Sequence, residues 1–403
     1  MLRIGLVYMN ASNLGDVVIF DCVCEFLKNI FAERQENNYE LVPINIDSQC
    51  RHSIYYGVKR RLMKLKYQRM LEKGKSNEEL DNLLLQRWHI SRAYRYFEKN
   101  EKKKIDNLDL IIFVGGGMIK FHRQECHYFL HEIIGIAQEK NIPVMLNAVG
   151  VEGYNEKNRE CQILKNAINK DCVRYISTRD DLDTLRTNYI TNSKIISELV
   201  CDPAIWSKEC YTVERNDSSK KIGLGVIRPE IFSEYLYHVD RKALINLYAE
   251  LCKRILDSGY SVEFFSNGMM KDNKFIEDIL HQNRELRETQ KVSVAIPKNA
   301  KHLIEIIAQY ERCVVARMHA SIIACSLGVP NVSLVWNNKQ TLLGKTLKLE
   351  ENYVTKENFN AECIYDKLFA ADSPIIDEKH KKSVYEGLKN QIIQIIEDRK
   401  NDF

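Results

Sequence analysis

Short runs of aliphatic and β-branched residues recur along the chain, each followed by a stretch with apolar positions at helical spacing. A first set comprises LRIGLVYM at 2–9, LDLIIFVG at 108–115, IPVMLNAVG at 142–150 and RYISTRD at 174–180. The alternation pauses at CDPAIW (201–206) and the polar stretch 213–221, then restarts with IGLGVI at 222–227, YSVEFFS at 260–266, KVSVAI at 291–296, RCVVAR at 312–317 and NVSLVW at 331–336. Strands alternating with helices predict βαβ units and parallel sheets. Residues 240–258, DRKALINLYAELCKRILDS, carry apolar residues at helical spacing and end at Gly259, and a second amphipathic helix is expected over about 378–399.

The predicted fold class is α/β, with two Rossmann-like doubly wound domains facing across a cleft. At 403 residues the chain exceeds one core of typical size. The expected domains are 1–206 and 207–403, the second ending in a helix that either packs locally or crosses back to the first. In open α/β sheets ligands bind beyond the carboxyl ends of the strands, so residues just after each strand are the ones to examine.

Charge changes this picture in one place. Residues 51–104 hold sixteen Lys or Arg against six Asp or Glu, a net of +10 within a chain whose total is +4. A solvated helical insertion with a charged face accounts for such a run. So does a basic patch meeting an anionic membrane surface or an acidic polymer. No nucleic-acid-binding motif accompanies it, and nucleic acid is not an expected partner.

The twelve cysteines form no C-x-x-C pair, and several sit within apolar runs; they read as free thiols in a reducing compartment. MLRIGLVYMN has too short an apolar stretch for a signal peptide, and no run is long enough to span a bilayer. The expected location is cytoplasmic, with any membrane contact peripheral, at the inner face. The sequence leaves the oligomeric state open.

The post-strand residues carry the candidate chemistry. Asn13, Gly15 and Asp16 form a tight βα turn after the first strand, whose N–H groups suit an anion or a sugar hydroxyl. Gly115, Gly116 and Gly117 follow the next strand, where three glycines permit unusual dihedrals or close approach of a ligand. They match neither G-x-G-x-x-G nor a P-loop. His122, His127 and His131 lack the H-E-x-x-H pattern, and no metal is expected. Arg179 and Asp180 close the fourth strand, Arg228 precedes Pro229 after IGLGVI, and Asn267 and Gly268 lead to Asp272 at the start of a helix. Arg317 ends a strand with His319 two residues on, and Trp336 and Lys339 follow the next. Arginines, a histidine and a lysine at such loops suit a small, multiply charged anion.

Taken in order, NLGD at 13–16, GGG at 115–117, TRD at 178–180, DPA at 202–204, SNGMMKD at 266–272 and RMHAS at 317–321 resemble the polysaccharide pyruvyltransferase family. The resemblance spans about residues 1–340 and implies a GT-B-like fold and transfer of a pyruvyl group from phosphoenolpyruvate to a sugar as a cyclic ketal. It makes Arg179, Arg317 and His319 the donor-holding candidates, which Arg228 and Lys339 join by their places after strands, and no cofactor is implied. Arginine forks bind carboxylate and phosphate alike. His319 is the candidate general acid, and Asp16 or Asp180 the candidate base. The acceptor would be a free, polymeric or lipid-linked glycan in capsule or exopolysaccharide synthesis. The competing readings are a GT-B glycosyltransferase with a nucleotide-sugar donor and a non-catalytic binding protein on the same fold.

Overall fold

A computed structural model describes residues 1–9, 13–46, 95–120, 126–216, 219–235 and 239–401. The basic stretch 51–104 lies outside these residues up to position 94, as does His122. The chain forms two compact units: unit 1 is Met1–Ala11, Lys28–Val200 and Gly387–Phe403, and unit 2 is Ser12–Leu27 and Cys201–Glu386.

In unit 1 the strands are β1 (Leu2–Tyr8), β2 (Tyr39–Asn45), β3 (Leu110–Val114), β4 (Ile119–Lys120), β5 (Val144–Val149), β6 (Val151–Glu152), β7 (Val173–Thr178) and β8 (Ile196–Leu199). Six of them make a parallel sheet in the order β2-β1-β3-β5-β7-β8, and β4 pairs with β6. Every residue of LIIFV in β3 and VMLNAV in β5 is buried, Asn147 included, as the near-continuous apolar runs of a covered parallel sheet should be. Phe113, Leu146 and Ile176 share one core with Phe129, Leu130 and Ile133 of the helix His127–Glu139 and with Leu164 of the helix Arg159–Ile168. Each such side chain contributes about 1.5–3 kcal/mol on burial.

Unit 2 repeats the plan with β9 (Lys221–Gly225), β10 (Ser261–Phe265), β11 (Val292–Ala295), β12 (Arg312–Val315), β13 (Asn331–Leu334) and β14 (Tyr353–Val354). These strands are parallel in the order β11-β10-β9-β12-β13-β14. The helix Arg241–Asp257 starts where Asp240 accepts bonds from the Lys242 and Ala243 N–H groups. It ends before Gly259, whose φ of +88° favours glycine. Its Tyr248 and Ile245 pack with Leu224, Phe264, Phe275 and Val314.

Both strand orders reverse direction once. In unit 1 the reversal falls between β1 and β3, and in unit 2 between β9 and β12. Connections leave such a pair of strands toward opposite faces, opening a crevice beyond their carboxyl ends. The glycines 115–117 follow β3, while Arg228 and Arg317 follow β9 and β12.

The eleven cysteines among the described residues are free, most of them buried. Burial pushes the Cys172 and Cys325 thiols up to about 11, so neither is a thiolate nucleophile at neutral pH. No helix among the described residues is long and apolar enough to cross a membrane.

Candidate functional site: two arginines and a histidine at a switch point

The strand β12 ends at Val315, and Arg317 then caps the helix Met318–Ser326 with extended backbone and no side-chain cap bond. Its guanidinium is therefore free to turn elsewhere. Nε and Nη2 donate to Asp272 Oδ2 at 3.0 and 2.6 Å. Asp272 has no exposed surface and stands in the first turn of the helix Met270–Gln282, which follows β10. Its other oxygen, Oδ1, accepts the Arg228 backbone N–H at 3.2 Å and Arg228 Nη1 at 3.5 Å. One buried carboxylate thus joins the arginines on either side of the switch point.

His319 is the second residue of its helix and is 5% exposed. Its Nε2 lies 3.9 Å from Asp202 Oδ2, an ion pair when the ring is protonated. Asp202 is itself fixed, since Oδ1 accepts the Ala204 N–H at 2.9 Å. The N–H groups of Met318 and His319 precede the first intrahelical bond, from Ala320 to the Arg317 carbonyl, so the helix start adds partial positive charge beside Arg317.

The NLGD turn belongs to the same unit. The Leu14 N–H donates to the Asn267 carbonyl at 3.0 Å, which seats the start of the helix Leu14–Glu33 on the SNG turn after β10. In that turn Gly268 has a φ of +90°, and its N–H donates to Ser266 Oγ. Asn267 Nδ2 is buried with no hydrogen-bond partner among the described residues. Asn13 Nδ2 donates to Asp16 Oδ2 at 3.2 Å, so these two side chains hold each other.

Gly15 shows why a glycine opens this helix. A Cβ there would lie 2.4 Å from both Cβ and Nδ1 of His319. Helix propensity alone favours alanine over glycine by about 1 kcal/mol, so the close approach of the imidazole outweighs it. Gly15→Ala is expected to displace the ring and cost about 1–3 kcal/mol, lowering both the melting temperature and turnover. A variant that melts above wild type at full activity would remove this role.

Trp336 and Lys339 are both buried. The Trp336 indole N–H donates to the Ala316 carbonyl, and Gln340 Nε2 reaches the same oxygen at 3.1 Å. Trp336 therefore braces the backbone that presents Arg317. Lys339 lies in the first turn of the helix Asn338–Leu347.

The remaining candidates lie in unit 1. Gly115 and Gly116 take φ values of +51° and +76°, which any other residue would adopt only under strain. The Gly115 N–H donates to the Asn147 carbonyl, and the Gly116 carbonyl accepts from Met118 and Gly150. A Cβ on Gly116 would meet nothing within 4 Å. Arg179 follows β7 and is buried. Asp180 Oδ1 accepts from the Val151 N–H, the Asp181 N–H and Thr178 Oγ1, tying two loops together.

Sequence reasoning placed Arg228, Arg317 and His319 correctly after their strands and missed their partners. Asp272 appeared there only as a helix start, and Asp202 only within a motif. The signal was the presence of both acids in the ordered motifs SNGMMKD and DPA.

The family model for polysaccharide pyruvyl transferase matches residues 13–338. Among curated proteins no sequence match is found. Solved structures similar to the chain include S. aureus MnaA with UDP, at 11% identity and a TM-score of 0.58 over 98% of this chain and 97% of that one. The UDP-GlcNAc 2-epimerase of Methanocaldococcus jannaschii aligns at 11% identity and 0.57, over 97% of this chain and 100% of that one. That of Neisseria meningitidis, bound to UDP-GlcNAc, aligns at 11% and 0.56, over 98% and 100%. At such identity the likeness gives the architecture alone, the GT-B-like fold that the family resemblance implied. The family match covers most of the chain and takes in both switch-point arginines, His319 and their acidic partners, and on it the chain belongs to the polysaccharide pyruvyl transferase family.

Proposed function

We propose that the protein transfers the pyruvyl group of phosphoenolpyruvate to two hydroxyls of a sugar, forming a cyclic ketal and releasing phosphate, in capsule or exopolysaccharide synthesis. The observation that carries this reading is the pair Arg228 and Arg317 at the β9/β12 switch point, with His319 at the adjoining helix start. Phosphoenolpyruvate has a carboxylate and a phosphate, and guanidinium forks suit both. Arg179 and Lys339 are further donor-binding candidates.

In the proposed reaction His319 gives a proton to the methylene carbon of the donor, leaving oxocarbenium character at the neighbouring carbon. One sugar hydroxyl adds there and loses its proton. Phosphate then departs with the bonding pair of its C–O bond, and the second hydroxyl closes the ring and loses its proton. The products are one ketal and one inorganic phosphate. Asp202, 3.9 Å from the ring, would stabilise an imidazolium, and Asp16, the residue after Gly15, is the candidate base for a hydroxyl. None of these steps calls for a cofactor. The acceptor is a glycan, polymeric or lipid-linked, and a lipid-linked one would give the basic stretch 51–104 a role at the inner membrane face.

Titration calorimetry with phosphoenolpyruvate beside a panel of nucleotide sugars tests the donor. Phosphoenolpyruvate is expected to bind and, with an acceptor glycan, to release phosphate. Binding of a nucleotide sugar alone would transfer the reading to a glycosyltransferase.

A further inference from the structure

The carboxylate of Asp272 stands in the middle of a site built for anions, where its charge repels the ligand. A site selected for anion affinity alone would do better without it. Its geometry supplies the reason for its presence. With no exposed surface, Asp272 spends Oδ2 on the Nε and Nη2 edge of Arg317, at 3.0 and 2.6 Å. It spends Oδ1 on the backbone N–H and Nη1 of Arg228, at 3.2 and 3.5 Å. Among the described residues the contact of Arg228 Nε with Glu230, at 3.9 Å, is the other ion pair of these two arginines. Neither Nη1 of Arg317 nor Nη2 of Arg228 has a hydrogen bond to a described residue, and the two side chains keep 11% and 13% of their surface.

We propose that Asp272 is the positioning residue of the anion site, gripping Arg228 and Arg317 by their inner edges so that the outer edges face a ligand with two anionic heads as one fixed pair. Two guanidinium cations drawn to one place repel each other, and each long side chain has many rotamers. The shared carboxylate removes both problems. It gives up a unit of positive charge and gains a defined spacing, which rewards a molecule carrying carboxylate and phosphate together over phosphate alone.

The inference rests on the pyruvyl-donor reading for the identity of its ligand, and the experiment separates the two. The full-length wild type, Asp272→Asn and Asp272→Glu are titrated calorimetrically with phosphoenolpyruvate and with inorganic phosphate, and their melting temperatures are recorded. Wild type is expected to prefer phosphoenolpyruvate. Asp272→Asn should weaken it by about 10–100-fold, the scale of a misplacement near 1 Å, while phosphate binds equally or more tightly because the site has gained a positive charge. Asp272→Glu keeps the charge and shifts the carboxylate by one methylene. It should lose about 10-fold or more for phosphoenolpyruvate and leave phosphate within about two-fold.

Wild-type affinity for phosphoenolpyruvate in Asp272→Glu would overturn the proposal, since the carboxylate would then serve only as charge. Parallel loss of both ligands, or failure of both variants to fold, would also overturn it in favour of a purely structural ion pair. If wild type binds phosphate and not phosphoenolpyruvate, the pyruvyl-donor reading fails. Phosphonoacetate, which carries two anionic heads and no pyruvyl group, then takes its place in the same comparison, with the same outcomes deciding.

Discussion

His319→Ala is expected to lower turnover by about 10²–10⁴-fold, the usual contribution of a positioned general acid. The affinity for phosphoenolpyruvate should change far less, because Arg228 and Arg317 keep their bonds to Asp272. Removing the ring also vacates the space against Gly15, so some stability is lost. His319→Asn fills part of that space and restores a hydrogen-bonding group without an ionisable proton. It should recover melting temperature and leave turnover low. Phosphate release and thermal melting measured on both variants decide the matter. Turnover within about three-fold of wild type in either one would remove His319 from proton transfer, since general acid catalysis is worth far more.

Arg317→Ala is expected to cost much of the stability of unit 2. It strips the 2.6 and 3.0 Å bonds from a carboxylate with no access to solvent. Breaking one side of a buried pair costs about 3–5 kcal/mol, because the remaining charge is left without compensation. Arg228 offers only its backbone N–H at 3.2 Å and the longer Nη1 contact at 3.5 Å in return. Adding Asp272→Asn to the same chain removes the orphaned charge and should restore part of the melting temperature while recovering none of the donor affinity. A double variant no more stable than Arg317→Ala would show that the bond to Asp272 carries little of the stability. Arg317→Lys keeps a charge but cannot fork, and should retain more stability than Arg317→Ala with most of the affinity lost.

What could be seen in the sequence follows from burial. Central strands such as LIIFV, and VMLNAV apart from Asn147, are apolar because both faces of a parallel sheet are covered, and all nine strand positions expected from such runs hold a strand. Besides the two-residue strands β4 and β6, which pair with each other, the strands that escaped notice lie at the sheet edges. YELVPIN of β2 contains Pro43 and alternates with exposed positions, ISEL of β8 is half polar with both ends exposed, and β14 has two residues. Such segments owe their conformation to one neighbouring strand more than to their own composition.

The site divides in the same way. Arg228, Arg317 and His319 were legible because each follows a strand, and position after a strand is a local property. Asp272 lies 44 and 45 positions from the arginines it holds, and Asp202 lies well over a hundred from His319. The Asp272 pairs are created by the sheet order that brings β9, β10 and β12 side by side, and the Asp202 pair by the packing of the turn Pro203–Trp206 against the helix Met318–Ser326. Trp336 and Lys339 illustrate the converse. Both follow a strand, yet which way a side chain turns depends on partners such as the Ala316 carbonyl that the local pattern does not name.

The interleaving of the two units bears on how the protein is made. Unit 2 takes residues 12–27 from one end of the chain, and unit 1 takes residues 387–403 from the other. Residues 28–200 therefore leave the ribosome as most of a unit whose closing segment is translated only after all of unit 2. Domains usually fold as they emerge, N-terminal first. Here the first unit to be synthesised is the last to be completed, and it has to wait with apolar surface uncovered. A fragment cut near residue 206 would leave each half without a piece of its own core, so separate expression of the halves should yield aggregation-prone material, and co-expression should recover it.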